Sequence, residues 1–301
     1  MPTQQGAIRL FRLAGIDVFL HWSWFVVAAY EVQVRTGDYS SPVWNVLEYL
    51  ALFVIVTLHE FGHSLACRQV GGTAERIVLW PLGGVAYVRP PQRPGATLWS
   101  LAAGPLVNVA LVPLLMGVGF AGGLFGWWQA HPNLVQLLRA VSLMNLLILV
   151  FNLLPVYPLD GGQILRSLLW FGLGRARSLM AATVLGFLGV LAIAALAIHV
   201  QSIWLGIVAA FVAFNCWSGL QQARRLSWLS KLPRHQGFAC PSCHAAPPIG
   251  PFWECRLCGQ PFDSFEAQAR CSSCAAPFDA AHCVDCGSLH QVAAWAGRRL
   301  G

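Results

Sequence analysis

Residues 56–66 read VTLHEFGHSLA, inside an apolar run covering roughly 44–67. A run of that length predicts a membrane helix, because about 20 helical residues cross a ~30 Å hydrocarbon core. On that helix His59 and His63 are four residues apart and share one face. Both imidazoles can then reach a single Zn2+, with Glu60 beside them as a general base. The plain alternative is a pair of core histidines hydrogen-bonded between helices. It explains a lone histidine better than it explains three ionisable side chains clustered in a membrane helix, where each is costly unless partnered and functional. A catalytic zinc also needs a third protein ligand and an open position. Asp160, in FNLLPVYPLDGGQILR (151–166), is the only acidic residue between Glu75 and Glu254. Pro155 and Pro158 break the helix before it and Gly161-Gly162 free the backbone after it, so the carboxylate can turn inward. Its other use would be to cap a helix starting near Gly162.

Composition extends this reading to most of the chain. Of 301 residues, 56% are hydrophobic and 10% charged, against about 25% charged in soluble domains. Apolar segments near 16–34, 44–67, 97–120, 138–156, 178–198 and 202–221 predict six transmembrane helices. The fold class expected is an all-α polytopic membrane protein, with a short hairpin or edge strand after the second helix and a small C-terminal zinc-ribbon module. The hairpin is read from Ile77, Leu79, Val85 and Tyr87 around a Gly83-Gly84 turn signal. No cleavage site follows the basic amino terminus, so no cleaved signal peptide is expected. The net charge is +7. With the amino terminus inside, 13 Lys and Arg residues fall in inner loops, and only Arg35 and Arg139 fall outside. The positive-inside rule then places both termini in the cytoplasm. Basic residues distributed in this way predict no nucleic-acid partner.

Past the last apolar segment lie eight cysteines in four Cys-x-x-Cys pairs: Cys240/Cys243, Cys255/Cys258, Cys271/Cys274 and Cys283/Cys286. Each pair can give two thiolates to a tetrahedral Zn2+, so two structural zinc ions are expected. CPSC…CRLCGQPF is echoed by CSSCAAPF…CVDCGS, and this repeat predicts sequential pairing, the first four cysteines on one ion and the last four on the other. The domains expected are a membrane body (1–225), a linker (226–237), the double ribbon (238–290) and a tail (291–301). The ribbon's charges are mixed, so a protein partner or substrate gating is its expected use. Cys67 and Cys216, alone in apolar segments, read as small buried hydrophobes, and Asn108 and Asn145 as amides bonded between helices. Asn152, two turns before Asp160, is close enough to help stabilise an oxyanion.

Taken together, HEFGH (59–63), PLGGVA (81–86), AAGPLVN (102–108) and NLLPVYPLDGG (152–162) make residues 6–222 resemble the site-2 protease family of intramembrane metalloproteases. The resemblance implies that His59, His63 and Asp160 bind zinc and that Glu60 activates water. It also implies that the strand near Gly83-Gly84 pairs with an extended substrate. GIDVFLHWSW (15–24) resembles the family's first helix and places His21 near the site, with an interfacial or buried histidine as the other reading. The implied function is hydrolysis of single-span membrane proteins in a bacterial or archaeal cell membrane. A non-proteolytic scaffold or zinc-sensing adaptor working through the ribbon is the alternative, and a zinc transporter a weaker one. An intact Glu60 favours the enzyme, since binding metal alone needs no base. Family-typical nucleotide-sensing and peptide-binding accessories are not seen.

Overall fold

The computed structural model describes residues 6–34, 37, 39–80, 83–267 and 269–296. Arg35 among the basic residues counted, Pro81 and Leu82 of the PLGGVA motif and tail residues 297–301 lie outside the described residues. Five helices among those described are long and apolar enough to cross a membrane. They are α2 (Pro42–Gln69), α3 (Pro94–Leu124), α5 (Pro132–Leu153), α6 (Asp160–His199) and α7 (Ile203–Leu229), with the four-residue α4 (Trp127–Ala130) between α3 and α5. Helix α2 starts where Ser41 accepts from the Val43 N–H and Pro42 takes the first position, where a missing amide donor costs nothing. It is the hub of the bundle: its apolar window is 56% buried, against 22% or less in the other four. Those four expose Leu, Val and Phe along most of their length, as lipid-facing helices do.

The first apolar segment is not the single helix expected from hydropathy. It divides into strand β2 (Ile16–His21), six residues long, and the 12-residue helix α1 (Ser23–Val34). The local sequence explains this. Ile16, Val18 and Leu20 alternate onto one face and are buried, the period of a strand rather than a helix. Ala14 and Gly15, at φ 49° and 73°, form a tight turn of the kind that joins antiparallel strands. That turn pairs β1 (Ala7–Leu13) with β2. Strand β2 then pairs in parallel with β3 (Thr73–Trp80), and β3 antiparallel with β4 (Gly83–Arg89). The parallel pair needs a crossover, which α1 and α2 provide. In the resulting order β1-β2-β3-β4, β4 is an edge strand beside α2. The hairpin expected there is present, although Gly83 and Gly84 begin β4 rather than forming the turn.

Helix α5 ends at Leu153, and residues 154–159 run non-helically to Asp160. From there α6 continues past a break at Gly174 (φ 76°), so the predicted fifth segment, 178–198, is only its second half. Helix α7 extends to Leu229 and leads directly into the C-terminal module. Residues 233–235 already pair there with 247–249, through an Arg234–Pro248 bridge and the bonds His235 N–H to Pro247 O and Ile249 N–H to Pro233 O. The module itself has two short hairpins, β5–β6 (Trp253–Glu254, Pro261–Phe262) and β7–β8 (Ala280–His282, Leu289–Gln291). Its small core is built on Trp253, Phe262, Phe265 and Trp295.

Candidate metal centre

Helix α2 presents His59 and His63 one turn apart, and the first residue of α6 brings Asp160 to them. His59 Nε2 and His63 Nε2 lie 3.1 Å apart, and Asp160 Oδ2 lies 3.1 Å from the first and 3.3 Å from the second. A tetrahedral ion with bonds of about 2.0–2.1 Å has ligand-to-ligand edges of about 3.3–3.4 Å, close to this triangle. The other ring nitrogens decide which protons are present. The Ser100 carbonyl can only accept, so His63 Nδ1 donates to it at 2.8 Å. His59 Nδ1 donates to Asn108 Oδ1 at 2.6 Å. The amide of Asn108 is fixed in turn, because Asn108 Nδ2 donates to Asn145 Oδ1 at 2.8 Å and Asn145 Nδ2 donates back to the Asn108 carbonyl at 3.0 Å. With both protons on Nδ1, two Nε2 lone pairs and a carboxylate oxygen converge on one point. That arrangement is repulsive unless a cation sits between them, and the donor set suits Zn2+.

Close backbone approach makes room for the triangle. A Cβ on Gly104 would stand 2.3 Å from His63 Nε2 and 2.8 Å from His59 Nε2, so α3 can present only a glycine there. Glu60 is 6% exposed and lies under the start of the β4 edge. A Cβ on Gly84 would meet Glu60 Cγ at 2.3 Å, and the backbone of Ala86 hydrogen-bonds the Glu60 carboxylate.

Asp160 makes no capping bond, and Leu159 occupies the cap position. Its carboxylate goes to the histidines instead. Asn152, on the last turn of α5 and half-buried, has no hydrogen bond to His59, Glu60, His63 or Asp160 among the described residues. Cys67 and Cys216 are fully buried and point their thiols at the carbonyls of Thr73 and Tyr157, away from the triangle. His21, 7% exposed, stacks on Trp80 at 3.8 Å and accepts at Nδ1 from Ser23, as the buried-histidine reading has it. Asn108, Asn145 and Ser100 are the contributors that sequence reasoning did not connect to the metal. The amides are legible as helix-to-helix partners, but nothing in the linear sequence ties them to His59.

In the C-terminal module the four knuckles are alike. In each, the first cysteine's carbonyl accepts the amide four residues on, and its own amide donates to the carbonyl five residues on. The residue at that fourth place has positive φ: His244, Gly259, Ala275 and Gly287. The pairing of knuckles, however, is nested rather than sequential. Cys240 and Cys243 meet Cys286 and Cys283, each at 3.7 Å. Cys255 and Cys258 meet Cys274 and Cys271, each at 3.6 Å. The chain doubles back between β6 and the third knuckle, so the inner knuckles face one another and the outer ones close the loop. These separations are far beyond the ~2.05 Å of a disulfide and match the roughly 3.8 Å edge of a tetrahedron with Zn–S bonds of about 2.3 Å. Hydrogen bonding from Cys283 holds the Cys243 thiol down to about 5. The Cys258 and Leu257 backbone amides hold Cys255 down to about 6. Each cluster thus holds a thiolate at neutral pH, while burial pushes a partner thiol such as Cys240 up to about 11, so full ligation is coupled to proton release when metal binds.

Residues 48–130 and 127–196 match the model of peptidase family M50. A zinc metalloprotease of Methanocaldococcus jannaschii is 35% identical over 182 residues, covering 60% of this chain and 50% of that protein. Rip3 of Mycobacterium tuberculosis is 30% identical over 230 residues, covering 69% of this chain and 57% of Rip3. Among solved structures, the site-2 protease from Methanocaldococcus jannaschii superposes with a TM-score of 0.51 at 31% identity, over 71% of this chain and 95% of that one. The chain therefore spans between half and three-fifths of the length of these two curated relatives.

Proposed function

This chain belongs to peptidase family M50, the site-2 protease family, and from that premise we propose that it is an integral-membrane zinc metalloprotease that hydrolyses peptide bonds of membrane-spanning proteins. The observation that carries the reading is the convergence of His59 Nε2, His63 Nε2 and Asp160 Oδ2 with both Nδ1 protons turned outward. These three residues would hold one Zn2+ through His59 Nε2, His63 Nε2 and Asp160 Oδ2. Bound there, zinc would supply Lewis-acid chemistry, acidifying water and polarising a scissile carbonyl. Glu60 takes the proton from water and returns it to the leaving amine. Asn108 and the Ser100 carbonyl keep the imidazoles in the tautomer that binds metal. The edge strand β4 passes Glu60 at Gly84, and an unwound substrate segment pairs with it as an added strand. Asn152 donates to the developing oxyanion, a role supported by its place on the turn leading to Asp160.

The substrates proposed are single-span proteins that enter from the bilayer, with both termini of the protease on the cytoplasmic side of a bacterial or archaeal cell membrane. The bounds expected from sequence shift: the membrane body runs through α7 to Leu229, and the double ribbon runs from about 233, where the chain pairs with 247–249, to Trp295 of its core. The ribbon holds two structural zinc ions and offers a surface for a protein partner or for substrate gating. Zinc content and cleavage of a single-span substrate, measured together in Asp160→Ala, test the reading. Both should fall, since only two protein ligands remain. Unchanged zinc at the membrane site would overturn the ligand assignment.

A further inference from the structure

Between Asp160 and Glu254 the chain carries seven Lys and Arg residues and no acid. Arg177, Arg224 and Arg225 are exposed and need no special account at a membrane edge. Arg166 and Arg175, on either side of the α6 break at Gly174, differ from them. Both are half-buried, and the Nε of each is shut away from solvent with no acceptor. The charges near them do not help. The groups acting on Arg166 are the Tyr157 phenol and Arg175 itself, with no carboxylate among them. Asp160 is taken by the two histidines. Asp285, which reaches Arg175 from the ribbon, gives it only a backbone carbonyl, at 2.5 Å, while its carboxylate is held by Arg234 at 2.6 and 3.1 Å. The Trp170 ring lies 5.9 Å from the Arg175 guanidinium carbon and offsets part of that charge, but two mutually repelling guanidinium groups, partly desolvated and without a carboxylate partner, remain expensive.

We propose that Arg166 and Arg175 together hold a phosphate group, supplied by the headgroup of an anionic phospholipid or by free phosphate. Guanidinium forks match phosphate oxygens in geometry and charge. The setting suits a lipid: Leu173, two turns beyond Arg166 on the same face of α6, is exposed and offers an apolar contact for an acyl chain. Basic pockets at helix ends are where anionic headgroups bind. A phosphate here offsets the charge on the helix whose first residue is Asp160, and on the ribbon contact at Arg175.

The test uses the full-length protein equilibrated with equal phosphatidylglycerol and phosphatidylcholine, then delipidated, with native mass spectrometry counting retained lipid. Thermal stability is measured in parallel with inorganic phosphate alone. One phosphatidylglycerol should survive in the wild type and be lost about tenfold or more readily in Arg166→Gln/Arg175→Gln, the loss expected from removing charge-assisted hydrogen bonds. Arg224→Gln/Arg225→Gln should keep it. Arg166→Lys/Arg175→Lys should retain it better than the Gln pair, and unchanged zinc content in each variant would show that the fold is intact. Stabilisation by inorganic phosphate that vanishes in the Gln pair, without lipid retention, would assign the site to free phosphate. Equal retention of the two lipids together with no phosphate effect, or retention unchanged in a folded Gln pair, would overturn the proposal.

Discussion

Asn108→Ala perturbs the metal centre without touching a ligand. Asn108 is fully buried and its partner Asn145 is 1% exposed. The Asn108 side chain accepts from His59 at 2.6 Å and donates to Asn145 at 2.8 Å. Truncation frees the His59 ring to rotate and to move its proton to Nε2, the nitrogen facing the metal. Losing such an orienting partner typically weakens metal binding 10–100-fold, or about 1.4–2.8 kcal/mol. It also strands the Asn145 carbonyl oxygen, at a further cost to stability of about 1–3 kcal/mol. Asn145→Ala should do less to zinc affinity, because it leaves the His59–Asn108 bond in place and removes only the bonds that hold the Asn108 amide. The assay is zinc per chain across a series of buffered zinc concentrations. The two ribbon sites should supply a constant two equivalents, and the third equivalent should titrate at 10–100-fold higher free zinc in Asn108→Ala. Wild-type affinity in Asn108→Ala, or a larger loss in Asn145→Ala, would refute the orienting role.

Gly104→Ala places a methyl 2.3 Å from His63 Nε2 and should abolish the third zinc while leaving the ribbon pair, as metal analysis would show. A truncation after Ser230, which keeps α7 whole, should lower zinc from three equivalents to one; a fall to zero would show that the ribbon builds the membrane site. The isolated ribbon, too small for a self-sufficient core, should lose its structure by circular dichroism when chelator removes zinc. Asp263 tests pH linkage there. Burial raises its carboxyl, but the Gly250 amide, His235 and the Phe265 and Glu266 amides outweigh this and leave it below its ordinary value. A depressed folded value stabilises above the unfolded one and is lost as pH falls through it. The stability gap between wild type and Asp263→Asn should therefore be full above about pH 5, begin to close as the pH falls through the unfolded value of about 3.9, and vanish below the depressed folded value.

What was legible in the sequence follows from the range of each interaction. The His59–His63 spacing is local, and Asp160 stood out because nothing else acidic lies between Glu75 and Glu254. The knuckles were legible for the same reason, since each closes on itself within six residues. Their partners were not. The repeat suggested neighbours, but the choice between sequential and nested pairing is made by where the chain doubles back, through contacts 40 residues apart such as Cys243 with Cys283. Hydropathy misread residues 16–21 because an average over a window hides alternation, and Ile16, Val18 and Leu20 are apolar in either period. In β1 the sequence AIRLFRL fits neither period cleanly, because a register shift between Arg9 and Phe11 interrupts the alternation. The orienting network was hidden because Asn108 and Asn145 lie 49 and 86 residues from His59, and only tertiary packing makes them neighbours.

The most direct test of the central claim is cleavage by purified wild-type protein and Glu60→Gln, reconstituted with a single-span substrate and assayed for product and zinc together. Glu60 touches the chemistry but supplies no ligand. Cleavage should therefore vanish while zinc stays at three equivalents per chain. Full cleavage by Glu60→Gln, or none by a zinc-replete wild type on any unwound single-span substrate, would contradict the reading of this site as a zinc protease.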